Sequence, residues 1–297
     1  MADETVIDDA LRERAHAESA RASARAGVEV RELTTTREFD LARLVWDTAW
    51  PQPQGGTEMT AHLIRALHHS GAYVSGAYVG DEIVGACLAF VGRGQEPDGS
   101  WHTHLHSHVA AAMPGRTDRG LGTALKVHQR AWALDQDIDR IEWTFDPLVR
   151  RNARLNLIKL GGTAVRYFID FYGAMEDGLN AGDESDRFIL RWDITSDRVA
   201  EALGGGSEAP SRASLVAMGA AVAVGVDADG APVSNDVDGP VRLVALPEDV
   251  VALRGSDPAL ARRWRQAVRA AVAPVVSGGG RAVSLTVEGD YVLEVGS

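Results

Sequence analysis

The sequence predicts an α/β (α+β) layered domain, with a mixed central sheet flanked by helices and an α+β extension at its C-terminal side. Three observations predict it. Runs rich in β-branched and aromatic residues alternate with stretches of helical periodicity, in the order strand, two helices, three strands, helix, strand, helix, two strands. Two of these runs, AYVSGAYV and EIVGACLAFVG, are separated only by Gly80-Asp81, the spacing of a tight hairpin. A third, WHTHLHSHVAAAM, ends at Pro114 and passes through a glycine pair into an amphipathic stretch, making a strand, turn and helix in succession.

In chain order, residues 1–27 are charged and alanine-rich (AHAESARASARAG), which fits a mobile or loosely docked helix. The main domain is expected over 28–200. VEVREL reads as its first strand and Glu38 to Trp50 as its first helix; a second helix runs from Thr57, a candidate N-cap, to His69, after the loop PQPQGG. The hairpin and the histidine-bearing strand come next. They are followed by a helix from about Gly120 to Leu134, strand RIEWTF, a helix from about Asn152 to Leu160, and strands AVRYFIDFYG and RFILRWDI. Residues 201–212, which hold most of the run GGGSEAPSRAS that starts after Leu203, have the composition of a linker. Beyond it, 213–297 reads as a small α+β subdomain: strand-like SLVAMGAAVAVGVD and VRLVALP, a helix over ALARRWRQAVRAAVAPVV, and paired strands near RAVSLTVEG and DYVLEVG.

Composition narrows the function classes. The 297 residues carry a formal net charge of -12, a field that repels phosphate polyanions, so nucleic acid is not an expected partner. No apolar run approaches the roughly 20 residues of a membrane span. The acidic start, MADETVIDDALRERAHAE, lacks the basic and apolar regions of a secretory signal, so a cytoplasmic location is expected. Cys87 is the only cysteine, which excludes an internal disulfide and a cysteine metal cluster. Against the acidic background, Arg116, Arg119, Lys126, Arg130, Arg150, Arg151, Arg154 and Lys159 fall in one central stretch. An anionic cofactor is expected there.

The segment HVAAAMPGRTDRGLGTALKVHQRA supplies a mechanism for holding one. Gly120 and Gly122 let the backbone approach a ligand closely, and the N–H groups of the following helix point at it with the positive end of the helix dipole. A P-loop would need Gly-Lys-Ser/Thr, which is absent, and a Rossmann turn would need a third small residue where Leu125 stands. Element order and turn together resemble the GNAT superfamily of N-acetyltransferases. The family's Gln/Arg-x-x-Gly-x-Gly/Ala turn is matched by Thr117-Asp118-Arg119-Gly120-Leu121-Gly122, with Thr117 where the family has a longer polar side chain. The resemblance implies a GNAT acyl-CoA N-acyltransferase fold and acetyl-CoA, or another acyl-CoA, as co-substrate. It also implies that the amides of Arg119, Gly120, Leu121, Gly122, Thr123 and Ala124 cradle the pyrophosphate, with Arg116 beside them and Ala110 and Ala112 along the pantetheine arm.

Farther along, Asn152-Ala153-Arg154-Leu155-Asn156-Leu157-Ile158-Lys159-Leu160-Gly161 resembles the family's next helix, in which Asn152 would contact the cofactor. Leu157 occupies the place of the usual tyrosine acid, so the proton for the departing thiolate must come from elsewhere. The string FDPLVRRNARLNLIKLGG, with the ending Tyr291-Val292-Leu293-Glu294, resembles a little-characterised bacterial branch of predicted GNAT acetyltransferases. Proton-transfer candidates are His108, with His106 on the same strand face, then Tyr172, with Tyr167 as fallback, and Asp146 and Glu142 on and after RIEWTF, two carboxylates equally suited to salt bridges with the neighbouring arginines. His102 and His104 extend the histidine row, but no carboxylate joins it at ligand spacing in the sequence, so no metal is expected. Asp177, Asn180, Ser185, Asp186 and Arg187 form a polar loop suited either to an acceptor pocket or to turn capping. The expected reaction is direct transfer to a small-molecule amine or amino-acid-like acceptor, with a non-catalytic acyl-CoA sensor or a Rossmann-type oxidoreductase as alternatives. A homodimer through the C-terminal part stays open.

Overall fold

The computed structural model describes residues 7–51, 56–57, 59–96, 98–116, 119–173 and 183–296. The chain forms two compact units, one of residues 1–143 with 193–197 and one of residues 144–192 with 198–297. Among the described residues, no helix is long and apolar enough to cross a membrane.

The first unit opens with helix α1, Asp9–Ala26, whose N-cap Asp8 accepts a hydrogen bond from the Leu11 N–H at 2.7 Å. Strand β1 is Glu29–Glu32, and helix α2 is Thr36–Ala49. Thr35 and Glu38 close a reciprocal capping box on α2, which satisfies two otherwise orphaned donors. Helix α3 is Ala61–His69 and is capped by Thr60, whose hydroxyl accepts from Leu63 N–H. Thr57, expected as that cap, instead accepts from the Met59 N–H three residues too early. Strands β2 (Tyr73–Val79), β3 (Glu82–Gln95) and β4 (Trp101–Ala112) follow, then helix α4 (Leu121–Asp135) and strand β5 (Arg140–Phe145). The strand order is β1-β2-β3-β4-β5. The first three pairings are antiparallel, and β4–β5 is parallel.

Strand alternation assigns each face of this sheet its helices. Ala86, Leu88, Phe90, Val109 and Ala111 pack with Phe39, Val45, Trp46 and Ile64 of α2 and α3. On the other face lies α4, and α1 runs beside it. Residues 9–26, expected to be mobile or loosely docked, are thus a packed helix. Its small face, Leu11, Ala15 and Ser19, recurs every four residues and is buried. Ion pairs fasten it to α4: Glu18 to Arg130 at 2.6 Å and His16 to Asp135 at 2.9 Å.

The second unit contains helix α5 (Arg150–Ala153), continued by a π-helical turn over Arg154–Lys159, and then strands β6 (Thr163–Phe168) and β7 (Arg187–Asp193). Helix α6 is Asp197–Gly204, and α7 is Arg212–Ala217, capped by Ser211. Strands β8 (Ala221–Val226), β9 (Pro232–Ser234) and β10 (Val241–Val244) lead to helices α8 (Val250–Ser256) and α9 (Pro258–Ser277). Strands β11 (Arg281–Leu285) and β12 (Tyr291–Glu294) end the fold. The strand order here is β7-β6-β11-β12-β10-β8-β9. Residues 213–297 therefore do not close into a subdomain of their own. The free edge of β6 is capped by β11, with Ala164 opposite Ala282, so the tail completes the sheet that β6 and β7 begin. Trp192, Trp264 and Tyr291 fill the core, and each directs its polar atom to a backbone carbonyl: Leu160, Gly230 and Pro147 respectively.

Candidate active site

The turn before α4 has the geometry that anion binding demands. Gly120 is the N-cap residue, in the left-handed region at φ 82°, and no side chain caps the helix start. The first intrahelical bond of that turn is Ala124 N–H to Gly120 C=O, so the amides ahead of it are left to other acceptors. Arg119 is exposed beside them, and the Arg116 guanidinium lies 3.7 Å from the exposed Glu82 carboxylate. Thr117 and Asp118 lie outside the described residues.

Strand β4 is built in two halves. The β3–β4 register pairs Leu88 with Val109 and Ala89 with Ser107, so the ladder shifts by one residue and bulges at His108. The parallel pairing of β4 with β5 is confined to Leu105↔Ile141 and His106↔Glu142. From Ser107 through Ala110 to Ala112, the edge of β4 toward β5 makes no ladder with it among the described residues. His108 is exposed at the bulge, and its ring lies 6.0 Å from that of His106. Burial first, then the neighbouring His108, His104 and Lys126, lower the His106 pKa to about 4.

Under the sheet, facing α4, is a polar cluster that no sequence motif announces. The Lys126 ammonium donates to Ser107 Oγ at 2.6 Å and Gln129 Oε1 at 3.2 Å, and sits 3.7 Å from the centre of the Trp143 ring. Gln129 donates in turn to Cys87 Sγ. Desolvation lowers the Lys126 pKa to about 8 and raises that of the Cys87 thiol, so the cysteine stays protonated. The folded chain therefore binds fewer protons at Lys126 than the unfolded chain, where lysine titrates near ~10.4. That penalty is present at neutral pH and disappears as pH rises. Urea melts should show wild-type stability rising between about pH 8 and pH 10 relative to Lys126→Met, a gap that an unperturbed lysine would not produce.

In the second unit, the structure reassigns several expected site residues. Asp146 is buried between two guanidiniums: Arg265 contributes bonds of 2.9 and 3.0 Å, and Arg254 one of 2.5 Å. Burial alone would raise its pKa, but Arg265 and Arg254 outweigh that and hold it at about 2, so Asp146 is an anchor and not a base. Tyr167 donates to the fully buried Asp186 at 2.5 Å; burial, then that carboxylate, raise its pKa far above neutrality. Asp186 also receives Arg269, while Ser185 Oγ donates to Asp170 and accepts from Tyr172 N–H. These bonds cap the loop, the plainer of the two roles expected of it. Asp177 and Asn180 lie outside the described residues. Tyr172 is about half exposed, with its hydroxyl 2.9 Å from Thr144 Oγ1. Asn152 is exposed on α5, and Leu157 is fully buried.

No protein-family model matches the sequence, and no curated protein matches it. Solved structures do. An N-acetyltransferase from Staphylococcus aureus Mu50 is 15% identical with a TM-score of 0.41, the match covering 57% of this chain and 99% of that one. The ribosomal-protein-S18-alanine N-acetyltransferase from Escherichia coli is 12% identical with a TM-score of 0.44, covering 57% and 95%. FeeM, an N-acyl amino acid synthase from uncultured soil microbes, is 14% identical with a TM-score of 0.40, covering 56% and 91%. The element order from β1 to β7 is the succession of strand, two helices, three strands, helix, strand, helix and two strands expected from the sequence. The bulged strand is β4 and the uncapped helix is α4. Helix α1 and the strands after β7 lie outside that succession.

Proposed function

We propose that this chain is an acyl-CoA-dependent N-acyltransferase that passes an acetyl group directly from coenzyme A to a small amine or amino-acid-like acceptor. One observation carries the reading. The unladdered half of β4, starting at the His108 bulge, is followed in the chain by the uncapped, left-handed Gly120 start of α4. A thioester arm can then lie along Ala110 and Ala112 while its diphosphate meets the amides of residues 119–124, with Arg116 and Arg119 adding charge. N–H groups on the β4 edge are available to polarise the carbonyl, and the exposed His108 is the candidate acceptor of the amine proton.

No covalent enzyme intermediate belongs to this reading. Cys87 is fully buried, and its thiol is held neutral, which leaves it no nucleophile. The experiment is thiol release from acetyl-CoA over a panel of amines and amino acids, with product mass checked by spectrometry. Turnover is expected in the wild type and, within about twofold, in Cys87→Ala. Binding of acetyl-CoA with no thiol release above blank on any amine would favour a non-catalytic acyl-CoA sensor, a reading that the buried Leu157 supports. Loss of turnover in a folded Cys87→Ala protein would overturn direct transfer.

A further inference from the structure

We infer that His102, His104 and Glu142 form a binding site for a divalent transition-metal ion of the zinc class, on the face of β4 opposite α4. The sequence places the histidines two apart but leaves the carboxylate 38 positions away from the nearer of them. The parallel register that sets His106 against Glu142 closes the distance. Glu142 Oε1 lies 3.5 Å from His102 Nε2, its Oε2 lies 4.0 Å from His104 Nε2, and one donor atom from each residue lies within 4.8 Å of the others. Donors around a tetrahedral ion with bonds of about 2.0–2.1 Å are roughly 3.3 Å apart, so modest side-chain closure completes the shell.

Three further features set this cluster apart from a surface group of charges. First, it is buried: Glu142 and His104 are 5% and 8% exposed. Neither ring nitrogen of the inward-facing His102 makes a hydrogen bond, although carboxylate oxygens stand at 3.2 and 3.5 Å. Second, the strand opposite is cleared for the rings. Gly92 and Gly94 of β3 pair with His104 and His102, and a Cβ at either glycine would come within 2.8 Å of His104 Nε2 or 2.4 Å of the His102 ring. Third, Glu96 Oε1 stands 3.2 Å from His102 Nδ1, the nitrogen left over once Nε2 faces an ion, and Arg140 fixes that carboxylate at 2.5 Å. A carboxylate behind a ligating histidine is the arrangement that sets its tautomer and raises its basicity.

Two imidazoles and one carboxylate select Zn²⁺, Co²⁺ or Ni²⁺ over Mg²⁺ and Ca²⁺, which prefer oxygen donors alone. Three protein ligands also leave a fourth position for water or for a donor atom of a bound molecule. The site stands independently of the acyl-transfer reading, since it uses none of the residues that hold coenzyme A.

The test is equilibrium uptake of Zn²⁺ by tag-free, chelator-stripped full-length protein, measured by elemental analysis and competition titration. One zinc per chain is expected. His102→Ala and Glu142→Gln should each weaken it more than about 100-fold, and Glu96→Gln by about 10- to 100-fold, the range for an outer-shell partner. Circular dichroism of the stripped variants separates ligand loss from unfolding, and the partly exposed His102 gives the variant least liable to misfold. Cobalt substitution adds a second readout, a visible tetrahedral absorption lost in His102→Ala. Substoichiometric uptake by the wild type, or equal zinc affinity in folded His102→Ala and Glu142→Gln, would overturn the inference.

Discussion

Gly120→Val is expected to remove acetyl-CoA binding almost entirely, with a calorimetric affinity loss of about 100-fold or more. Gly120 holds φ 82° at the start of α4, a conformation that costs an L-residue roughly 1–2 kcal/mol, or about 5- to 30-fold, before any other effect. A β-branched residue escapes that strain by rotating the peptide, which turns the Leu121 N–H away from the ligand and unmakes the cradle. Gly80→Val is the matched control. Gly80 has a positive φ of 57° in the β2–β3 hairpin and open space around its Cα, so it carries comparable strain with no phosphate site nearby. Equal losses of affinity in the two variants would show that destabilisation alone, and not the α4 turn, governs binding.

Arg265→Met is expected to be the most destabilising single change in the second unit, at about 3–5 kcal/mol. Arg265 is 1% exposed and bridges two buried carboxylates, Asp146 at 2.9 Å and Asp183 at 2.8 Å. Its removal leaves both to Arg254, so buried negative charge goes uncompensated. For a chain of this size, such a loss lowers Tm by roughly 10 °C. The acid limb gives an independent check. Asp146 has a folded pKa of about 2, below its unfolded value near ~3.9, so its contribution is complete above about pH 4 and is lost as pH falls toward 2. Without Arg265 that depression shrinks, and acid unfolding should begin at higher pH. Urea melts from pH 2 to 7 that show the same acid limb in both proteins would contradict the assignment.

Some of this protein was readable residue by residue, because the signals are local. The β2–β3 hairpin follows from two strand-like runs around Gly80-Asp81. Helix α4 and its glycine start follow from the change of period after Pro114. The α3 cap is Thr60 and not Thr57: both threonines fit a cap by residue type, and only Thr60 Oγ1 accepts from a helix N–H, that of Leu63, while Thr57 Oγ1 accepts from Met59 N–H. Helix α7 forms where SLVA has β-forming composition, since six residues are too few for periodicity to show a helix in the sequence.

What the sequence by itself determined, then, is the succession of elements and the glycine turn that opens α4, both written in contiguous residues. Tertiary structure alone decided the roles of the ionisable groups. In sequence Asp146 suits a base and a salt bridge equally; Arg254 and Arg265, more than a hundred residues away, decide for the ion pair. Glu142 looked unrelated to the histidine row until strand register set it beside His102 and His104. The physical reason is the same in both cases. A side chain's proton affinity and ligand geometry depend on the charges within a few ångströms of it, and sequence distance carries no information about those neighbours.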